Sequence, residues 1–280
     1  MSGPKVLLLG IDGCRLSITG EDGIAPHLHR MRSAGRLHGM TMVPPTMSGP
    51  GWASILTGST HEQHGVAGND FIGHRLHSRP DLLARAFYAD QSTTTFAAAG
   101  WPPLIDPHGL GPVIHQRLEQ QWAGQHRIIA RDGETHGYVR VDAEIADYAA
   151  AMLAGQQAAD VSFVYFCDVD ETGHLYGLMG SEYRQAIGRV DAHLGRIAAA
   201  IEQRAAERGE DWIVIIVTDH GHVDAGGHGG DTPEECASFV ITWSPGGPAR
   251  LPDWPDEIAP HELCELILTA RAQGDVSGHT

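Results

Sequence analysis

Aspartate and histidine residues follow directly after three predicted strands of this chain. The strands are short runs of branched and aromatic apolar residues, typical of strands buried on both faces, at residues 6–11, 161–166 and 213–217. The polar residues that follow them are Asp12, Asp170, His174, Asp219 and His220. In open α/β sheets, ligands lie just outside the carboxyl ends of the strands. The sequence therefore predicts that these side chains form one site.

The mixture of carboxylates and imidazoles indicates a metal site. Imidazole suits zinc and similar transition ions, whereas sites made only of oxygen atoms suit magnesium or calcium. Asp170 and His174 lie within one turn of chain, and Asp219 directly precedes His220. A single aspartate or histidine of this kind is more often a helix cap or a surface residue. Their joint occurrence at strand ends favours metal binding.

A loop at residues 44–52 contains Ser48 and precedes a predicted helix that starts at residues 53–56. Backbone N–H groups and the helix dipole favour an anion at such a position. A serine there is usually only a helix cap. Next to predicted metal ligands, it favours a site for an anionic substrate.

Composition limits the partners that this chain can bind. The 280 residues include 35 acidic and 19 basic side chains, for a formal charge of −16. This charge disfavours binding to nucleic acid or to an anionic membrane surface. The four cysteines are widely spaced, which argues against a zinc finger or a disulfide scaffold. No apolar run approaches the roughly 20 residues of a membrane span, so we expect a cytoplasmic protein.

The predicted elements indicate an α/β domain with a mostly parallel sheet. Apolar residues recur every three or four positions over residues 181–209, between two predicted strands, which predicts a long amphipathic helix in a parallel βαβ unit. A further helix is predicted at residues 142–158 and a further strand at residues 40–43. Residues 100–137 are rich in Pro, Gly, His and Gln, and we expect an irregular inserted cap there.

Six short motifs, taken together and in order, resemble the alkaline phosphatase superfamily, in particular its nucleotide pyrophosphatase/phosphodiesterase branch. The motifs are IDGCR at 11–15, PTMSGP at 45–50, TG at 57–58, HGVAGN at 64–69, DETGH at 170–174 and TDHG at 218–221. The resemblance implies a three-layer α/β sandwich around a central, mostly parallel sheet. Residues 1–280 would form one catalytic domain, with the small cap at 100–137 inserted in it.

The same resemblance implies two divalent metal ions, expected to be zinc, bridged by Ser48. The ligands of one ion would be Asp12, Asp219 and His220, and those of the other Asp170, His174 and a third histidine. In the diesterase branch that third histidine lies much further along the chain. The short spacing to His228 instead resembles the ethanolamine-phosphate transferases of the same superfamily. We expect His228 as the third ligand, with His222 as the alternative.

Ser48 is the expected nucleophile, with Thr46 as the alternative. A serine hydroxyl needs activation, and two ions can stabilise the attacking and leaving oxygens of a phosphoryl transfer. Asn69 follows Ser48 by 21 positions, the family's spacing for an amide that binds a phosphate oxygen. An uncharged donor suits a diester better than a monoester. The family's aromatic residue after the nucleophile is replaced by Gly49.

We therefore expect a phosphodiesterase or nucleotide pyrophosphatase that acts on a small phosphorylated substrate, such as a nucleotide, through a covalent phosphoserine. A phosphomonoesterase or phosphonate hydrolase of the same superfamily is the alternative enzyme. A phosphotransferase acting on a lipid or sugar is a third possibility, which the lack of a membrane segment weakens. A non-catalytic metal-dependent binding protein is the alternative of another class, and the presence of Ser48 beside the ligands argues against it.

Overall fold

One seven-stranded sheet forms the centre of the protein. The computed structural model describes residues 3–20, 23–156 and 158–273. The strands are β1 (Lys5–Ile11), β2 (Arg36–Thr41), β3 (Thr95–Ala99), β4 (His126–Ala130), β5 (Val161–Phe166), β6 (Trp212–Val217) and β7 (Ala237–Trp243). Their order across the sheet is β2-β7-β6-β1-β5-β3-β4. Strand β7 runs antiparallel to both of its neighbours, and the other strands share one direction.

Helices cover both faces of this sheet. They are α1 (Leu16–Thr19), α2 (Pro26–Ala34), α3 (Ser48–Thr57), α4 (His61–His64), α5 (Leu82–Ala89), α6 (Pro102–Ile105), α7 (Leu118–Trp122), α8 (Gly133–His136), α9 (Tyr138–Ala154), α10 (Asp168–Tyr176), α11 (Ser181–Arg208), α12 (Pro233–Cys236) and α13 (Leu263–Gln273). Within the described part of the chain, none of these helices is both long enough and apolar enough to span a bilayer.

Two hydrophobic cores, one on each face of the sheet, explain the three layers. Side chains of a strand point alternately to opposite faces. In β1, Leu7 and Leu9 pack in the core formed with α2, α9 and α11, whereas Leu8 packs in the core formed with α3, α5 and α13. Both faces of the central strands are thus buried. The predicted three-layer α/β fold with a mostly parallel sheet is confirmed.

The position of β1 between β5 and β6 brings the predicted site residues together. Ile11 lies opposite Phe166 of β5, and Gly10 lies opposite Val217 of β6. The three strands are parallel and end at nearly the same level. The residues that follow them are therefore neighbours in space although they are far apart in the chain.

The expectation that residues 100–137 are irregular is wrong for His126–Ala130. This segment forms β4, the edge strand that pairs in parallel with β3. Most of its side chains are only partly buried, and its apolar run is just Ile128 to Ala130, so its strand character is weak in the sequence. The segment also contains α6, α7 and α8. That the chain is one domain with a cap stays a prediction.

Several element boundaries differ from those predicted. Strand β2 covers Arg36–Thr41 rather than residues 40–43, and helix α9 covers Tyr138–Ala154 rather than residues 142–158. Helix α3 starts at Ser48, several residues before the predicted start. Pro50 is compatible with this start, because the N–H groups of the first turn have no hydrogen-bond partner within a helix and proline lacks only that group. The long helix α11 is confirmed at Ser181–Arg208.

Candidate metal centre

The ends of β1 and β6 place Asp12, Asp219 and His220 side by side, and all three are completely buried. The Nε2 atom of His220 lies 3.3 Å from Asp12 Oδ1 and 3.3 Å from Asp219 Oδ2. The Nδ1–H group of His220 donates to the carbonyl oxygen of Gly221 at 3.0 Å. This hydrogen bond fixes the ring so that Nε2 faces the two carboxylates.

Ser48 is the first residue of α3 and lies against this group. Its Oγ atom is 3.2 Å from His220 Nε2 and 3.4 Å from Asp12 Oδ1. The side chain is buried at the start of a helix, where the helix dipole favours an anion. The predicted nucleophile and three predicted ligands therefore share one pocket.

Two hydrogen-bond donors hold the far oxygen of Asp12. Trp52 Nε1–H donates to Asp12 Oδ2 at 2.8 Å, and the Tyr165 hydroxyl donates to the same oxygen at 2.5 Å. The other oxygen, Oδ1, faces Ser48 and His220. Neither donor is recognisable from the sequence, since a tryptophan in a helix and a tyrosine in a buried strand look like ordinary core residues.

A second group of ligands surrounds Asp170. Asp170 and His174 are four residues apart on α10 and share one face of that helix, with 3.4 Å between Asp170 Oδ2 and His174 Nε2. His228 Nε2 lies 3.5 Å from Asp170 Oδ1 and 2.9 Å from His174 Nε2. Helix α10 was not predicted from the sequence, yet it is what aligns Asp170 with His174.

The loop that carries His228 is fastened to Thr46. The His228 Nδ1–H group donates to the Thr46 carbonyl oxygen at 2.7 Å. The Thr46 hydroxyl donates to Gly230 O at 2.9 Å and accepts from Gly229 N–H at 3.1 Å. The Nε2 atom of His228 therefore keeps its lone pair for a ligand, and the Thr46 hydroxyl is already engaged.

His222, the alternative third ligand, is also part of this group and is completely buried. Its Nε2 atom lies 2.8 Å from Asp170 Oδ1. On the other side of the ring, Nδ1 accepts a hydrogen bond from Gly227 N–H at 3.0 Å. His222 thus differs from His220 and His228, whose Nδ1 atoms face carbonyl oxygens.

Burial and the neighbouring charges shift the pKa values of the ligand side chains. Burial alone would lower the pKa of His220, but the carboxylates of Asp219, Asp12 and Asp170 outweigh it and raise that pKa to about 10. Burial and the nearby charge of Asp12 raise the pKa of Asp219 well above its usual value. Burial and the charge of His220 lower the pKa of His228 to about 4, which keeps its imidazole neutral.

The donor set fits metal ions. Asp219 Oδ2 is buried and has no hydrogen-bond partner, which is costly unless a cation binds it. Two ligands of one tetrahedral zinc ion, with bonds of about 2.0–2.1 Å, lie about 3.3 Å apart. The distances around His220 and between Asp170 and His174 are of this size. The ligand atoms form two clusters that share Asp170, and the His220 and His228 rings stack with centroids 3.7 Å apart.

Asn69 lies beside the first turn of α3. Its Oδ1 atom accepts a hydrogen bond from Gly49 N–H at 2.7 Å, which leaves the amide nitrogen as a donor. A Cβ atom at position 49 would lie 2.9 Å from Gly68 O and 3.1 Å from Asn69 Oδ1. The close approach of the start of α3 to the loop at Gly68 and Asn69 therefore requires glycine after Ser48, where a larger side chain, such as the aromatic residue expected from the resemblance, would not fit.

The family model of the type I phosphodiesterases / nucleotide pyrophosphatases matches residues 6–243 of this chain, which include the whole site. The chain belongs to the type I phosphodiesterase / nucleotide pyrophosphatase family. The family lies within the alkaline phosphatase superfamily, so the resemblance seen in the sequence motifs is confirmed.

Relatives of this type I phosphodiesterase family member include human ectonucleotide pyrophosphatase/phosphodiesterase family member 1, with 23% identity over 78% of the chain. Family member 7 from mouse has 26% identity, also over 78% of the chain. The chain spans 23% and 49% of the lengths of these two relatives.

A solved structure with the same fold is that of murine ectonucleotide pyrophosphatase/phosphodiesterase 5, an inactive form in complex with AMP. It superposes with a TM-score of 0.68 at 16% identity, and the match covers 96% of this chain and 95% of that chain. This likeness shows that the family member has the alkaline phosphatase fold.

Proposed function

We propose that this family member hydrolyses phosphodiesters through a covalent intermediate on Ser48. The observation that carries the proposal is the position of Ser48 Oγ, 3.2 Å from His220 Nε2 and 3.4 Å from Asp12 Oδ1, at the start of α3. A hydroxyl at a helix N-terminus, beside two clusters of metal-binding side chains, suits attack on an anionic phosphorus centre.

Two sets of side chains, drawn from these overlapping clusters and Asp219, would hold two divalent ions, for which we propose zinc because each set contains imidazole. The first set is Asp12, Asp219 and His220, the second is Asp170, His174 and His228, and Ser48 lies against Asp12 and His220 of the first set. When bound, such ions lower the pKa of a hydroxyl and neutralise charge on phosphoryl oxygens. Tyr165 and Trp52 fix Asp12 by binding its Oδ2 atom.

Ser48 and Asn69 supply the groups that contact the substrate. Attack by Ser48 Oγ forms an Oγ–P bond and breaks the bond between phosphorus and one alcohol or nucleotide group, which leaves with the hydroxyl proton of Ser48. Water then attacks the phosphorus, so that the Oγ–P bond breaks, the phosphomonoester is released and a proton of the water restores the Ser48 hydroxyl. The Asn69 amide N–H and the Ser48 backbone N–H would donate to phosphoryl oxygens, because Gly49 N–H already binds Asn69 Oδ1 and Pro50 has no N–H.

The substrate that we propose is a nucleotide or another small phosphodiester. The donors beside Ser48 are neutral amides, which match the single negative charge of a diester. The family name and the AMP bound to the murine relative support a nucleotide. We propose no nucleic acid polymer and no membrane as partner, and a cytoplasmic location stays a prediction.

The test is turnover of an aryl phosphodiester by the zinc-loaded protein, together with Ser48→Ala. We expect the variant to lose activity by about 10³-fold or more, since a nucleophile is removed. Ser33→Ala changes an exposed serine of α2 and should leave the rate unchanged. Zinc content measured in each protein separates loss of the nucleophile from loss of metal. Full activity in Ser48→Ala would disprove the covalent mechanism, and faster turnover of the matching monoester would favour a phosphomonoesterase.

A further inference from the structure

The imidazole of His222 uses both of its nitrogen atoms inside the protein. Gly227 N–H donates to Nδ1 at 3.0 Å, so Nδ1 must carry a lone pair. In a neutral imidazole the hydrogen is then on Nε2, and this N–H donates to Asp170 Oδ1 at 2.8 Å. These hydrogen bonds assign the tautomer. A protonated Nε2 atom has no lone pair to offer to a metal ion.

His220 and His228 show the opposite arrangement. Each donates its Nδ1–H group to a backbone carbonyl oxygen, Gly221 O and Thr46 O respectively, so in the neutral ring that binds a metal ion the lone pair is on Nε2. This is how metal-ligating histidines are usually oriented. The backbone groups that meet Nδ1 thus leave the Nε2 lone pair of His220 and His228 free for a metal ion. In His222 they place a hydrogen on Nε2 instead.

The ring of His222 lies in a space that exists only because two neighbouring residues are glycines. A Cβ atom on Gly13 would lie 2.6 Å from His222 Nε2, and one on Gly173 would lie 3.0 Å from its Cε1 atom. Gly13 also has φ 61°, which other residues rarely adopt. Two glycines, one after β1 and one in α10, therefore make room for the imidazole next to Asp170.

We propose that His222 is a positioning residue that orients the Asp170 carboxylate for metal binding, and that it is not a ligand itself. By donating to Oδ1 it fixes the plane of the carboxylate and balances part of its charge in a buried site. Partners of this kind typically contribute 10- to 100-fold in metal affinity. The proposal rests on the two-metal site of the proposed function, and it leaves His228 as the third histidine ligand.

The experiment is titration of the metal-free protein with Co²⁺, followed by its visible absorption spectrum, and with Zn²⁺ by calorimetry. The variants are His222→Met, which removes the donor, and His222→Gln, whose amide can donate to Asp170 and accept from Gly227. His228→Gln is the matched control, the same substitution at a proposed ligand. Circular dichroism of each metal-free protein checks that it folds.

We expect wild type and both His222 variants to bind two ions per chain. In His222→Met the affinity for one ion should fall about 10- to 100-fold, and His222→Gln should recover most of that loss. The Co²⁺ spectrum should change in His228→Gln, which loses a nitrogen ligand, and should stay unchanged in His222→Gln. The last comparison still decides between the two roles if His222→Met does not fold.

Two results would overturn the proposal. If His222→Gln loses an ion or alters the spectrum as His228→Gln does, His222 is a ligand. If His222→Met binds both ions as tightly as wild type, His222 has no role in metal binding. Since no substrate is used, failure to hydrolyse diesters would sink the proposed function alone, whereas a wild-type protein that binds no metal would sink both.

Discussion

One hydrogen bond fixes the orientation of the Asn69 amide. Its Oδ1 atom is bound to Gly49 N–H at 2.7 Å, so the amide cannot turn its oxygen towards the proposed phosphate position without losing that bond. The arrangement requires the start of α3 to touch the loop that carries Asn69, and Gly49 permits this because it has no Cβ atom. The orientation of the amide is thus set before substrate binds, as preorganised catalysis requires.

We predict that Asn69→Ala lowers kcat for an aryl phosphodiester by about 10²- to 10³-fold, the usual effect of removing one donor to a developing oxyanion. Metal content should be unchanged, because Asn69 belongs to neither ligand cluster. Steady-state kinetics and elemental analysis measure the two quantities. Asp70→Asn, a change at the exposed neighbouring residue, is the control. A rate for Asn69→Ala within about threefold of wild type would exclude the proposed contact.

Asp160 joins the starts of three strands at the end of the sheet opposite the site. Its Oδ1 atom accepts from Lys5 Nζ at 2.9 Å, and its Oδ2 atom accepts from the backbone and hydroxyl groups of Thr94 at 2.8 Å. Burial alone would raise the pKa of Asp160, but the bonds from Thr94 and Lys5 outweigh it, so the pKa is lowered. Its negative charge therefore stabilises the folded state.

We predict that Asp160→Asn destabilises the protein by about 1–3 kcal/mol at neutral pH, the cost of weakening charged hydrogen bonds in a mostly buried position. Because the pKa of Asp160 is lower in the folded state, its charge stabilises the folded protein at pH values above the unfolded pKa of about 3.9. This contribution is lost as the pH falls through the folded pKa. The gap between wild type and variant should therefore narrow below about pH 4.

Urea unfolding at several pH values measures that gap. Asp253→Asn is the matched control: this carboxylate also pairs with a basic side chain, Arg36, but is fully exposed, so stability should hardly change. A gap for Asp160→Asn that stays constant from pH 7 to pH 3 would show that the charge of Asp160 is not responsible.

Helices and strands also show what the sequence could and could not predict. Strands β1, β5 and β6 were recognisable because both of their faces are buried, which makes them continuous apolar runs. Strand β4 was missed because an edge strand with partly buried residues has no such run. Helix α10 was missed because its apolar content is low and tertiary contacts stabilise it, including two backbone hydrogen bonds to Asp142.

The same limit applies to the site. Ligand residue types at strand ends were visible in the sequence, and the structure brings all the predicted ligands together. The roles of His222 and His228 could not be separated, because they depend on which backbone group each Nδ1 atom meets. The support of Asp12 by Trp52 and Tyr165 was invisible for a similar reason, since both residues also fit a purely apolar core.

For the whole molecule, the fold concentrates negative charge where strands β1, β5 and β6 end. Asp12, Asp170 and Asp219 are buried together in a chain whose formal charge is −16. Their ion-pair partners at the site are histidines. Bringing such carboxylates into a protein interior is costly unless cations accompany them. The stability of the folded protein should therefore depend on bound metal.

We predict that removing metal with a chelator lowers the Tm by on the order of 10 °C. Zinc at about 1,000 times its Kd would stabilise the native state by about 4 kcal/mol, and each kcal/mol shifts the Tm of a domain of this size by about 2–4 °C. Zn²⁺ should restore the Tm and Mg²⁺ should not, because imidazole is a poor magnesium ligand. Scanning calorimetry of the treated and reloaded protein measures the shift.

We predict that zinc reverses which protein is more stable, wild type or the Asp219→Asn variant. Without metal it should be at least as stable as wild type, because burial and Asp12 already favour the uncharged form of Asp219 and the neutral amide is nearly the same shape. With zinc it should be the less stable protein, because a ligand is missing. Such a reversal of the two Tm values would show that the Asp219 carboxylate stabilises the folded protein only when a cation is bound. If Asp219→Asn gained as much from zinc as wild type does, Asp219 would have no part in binding metal.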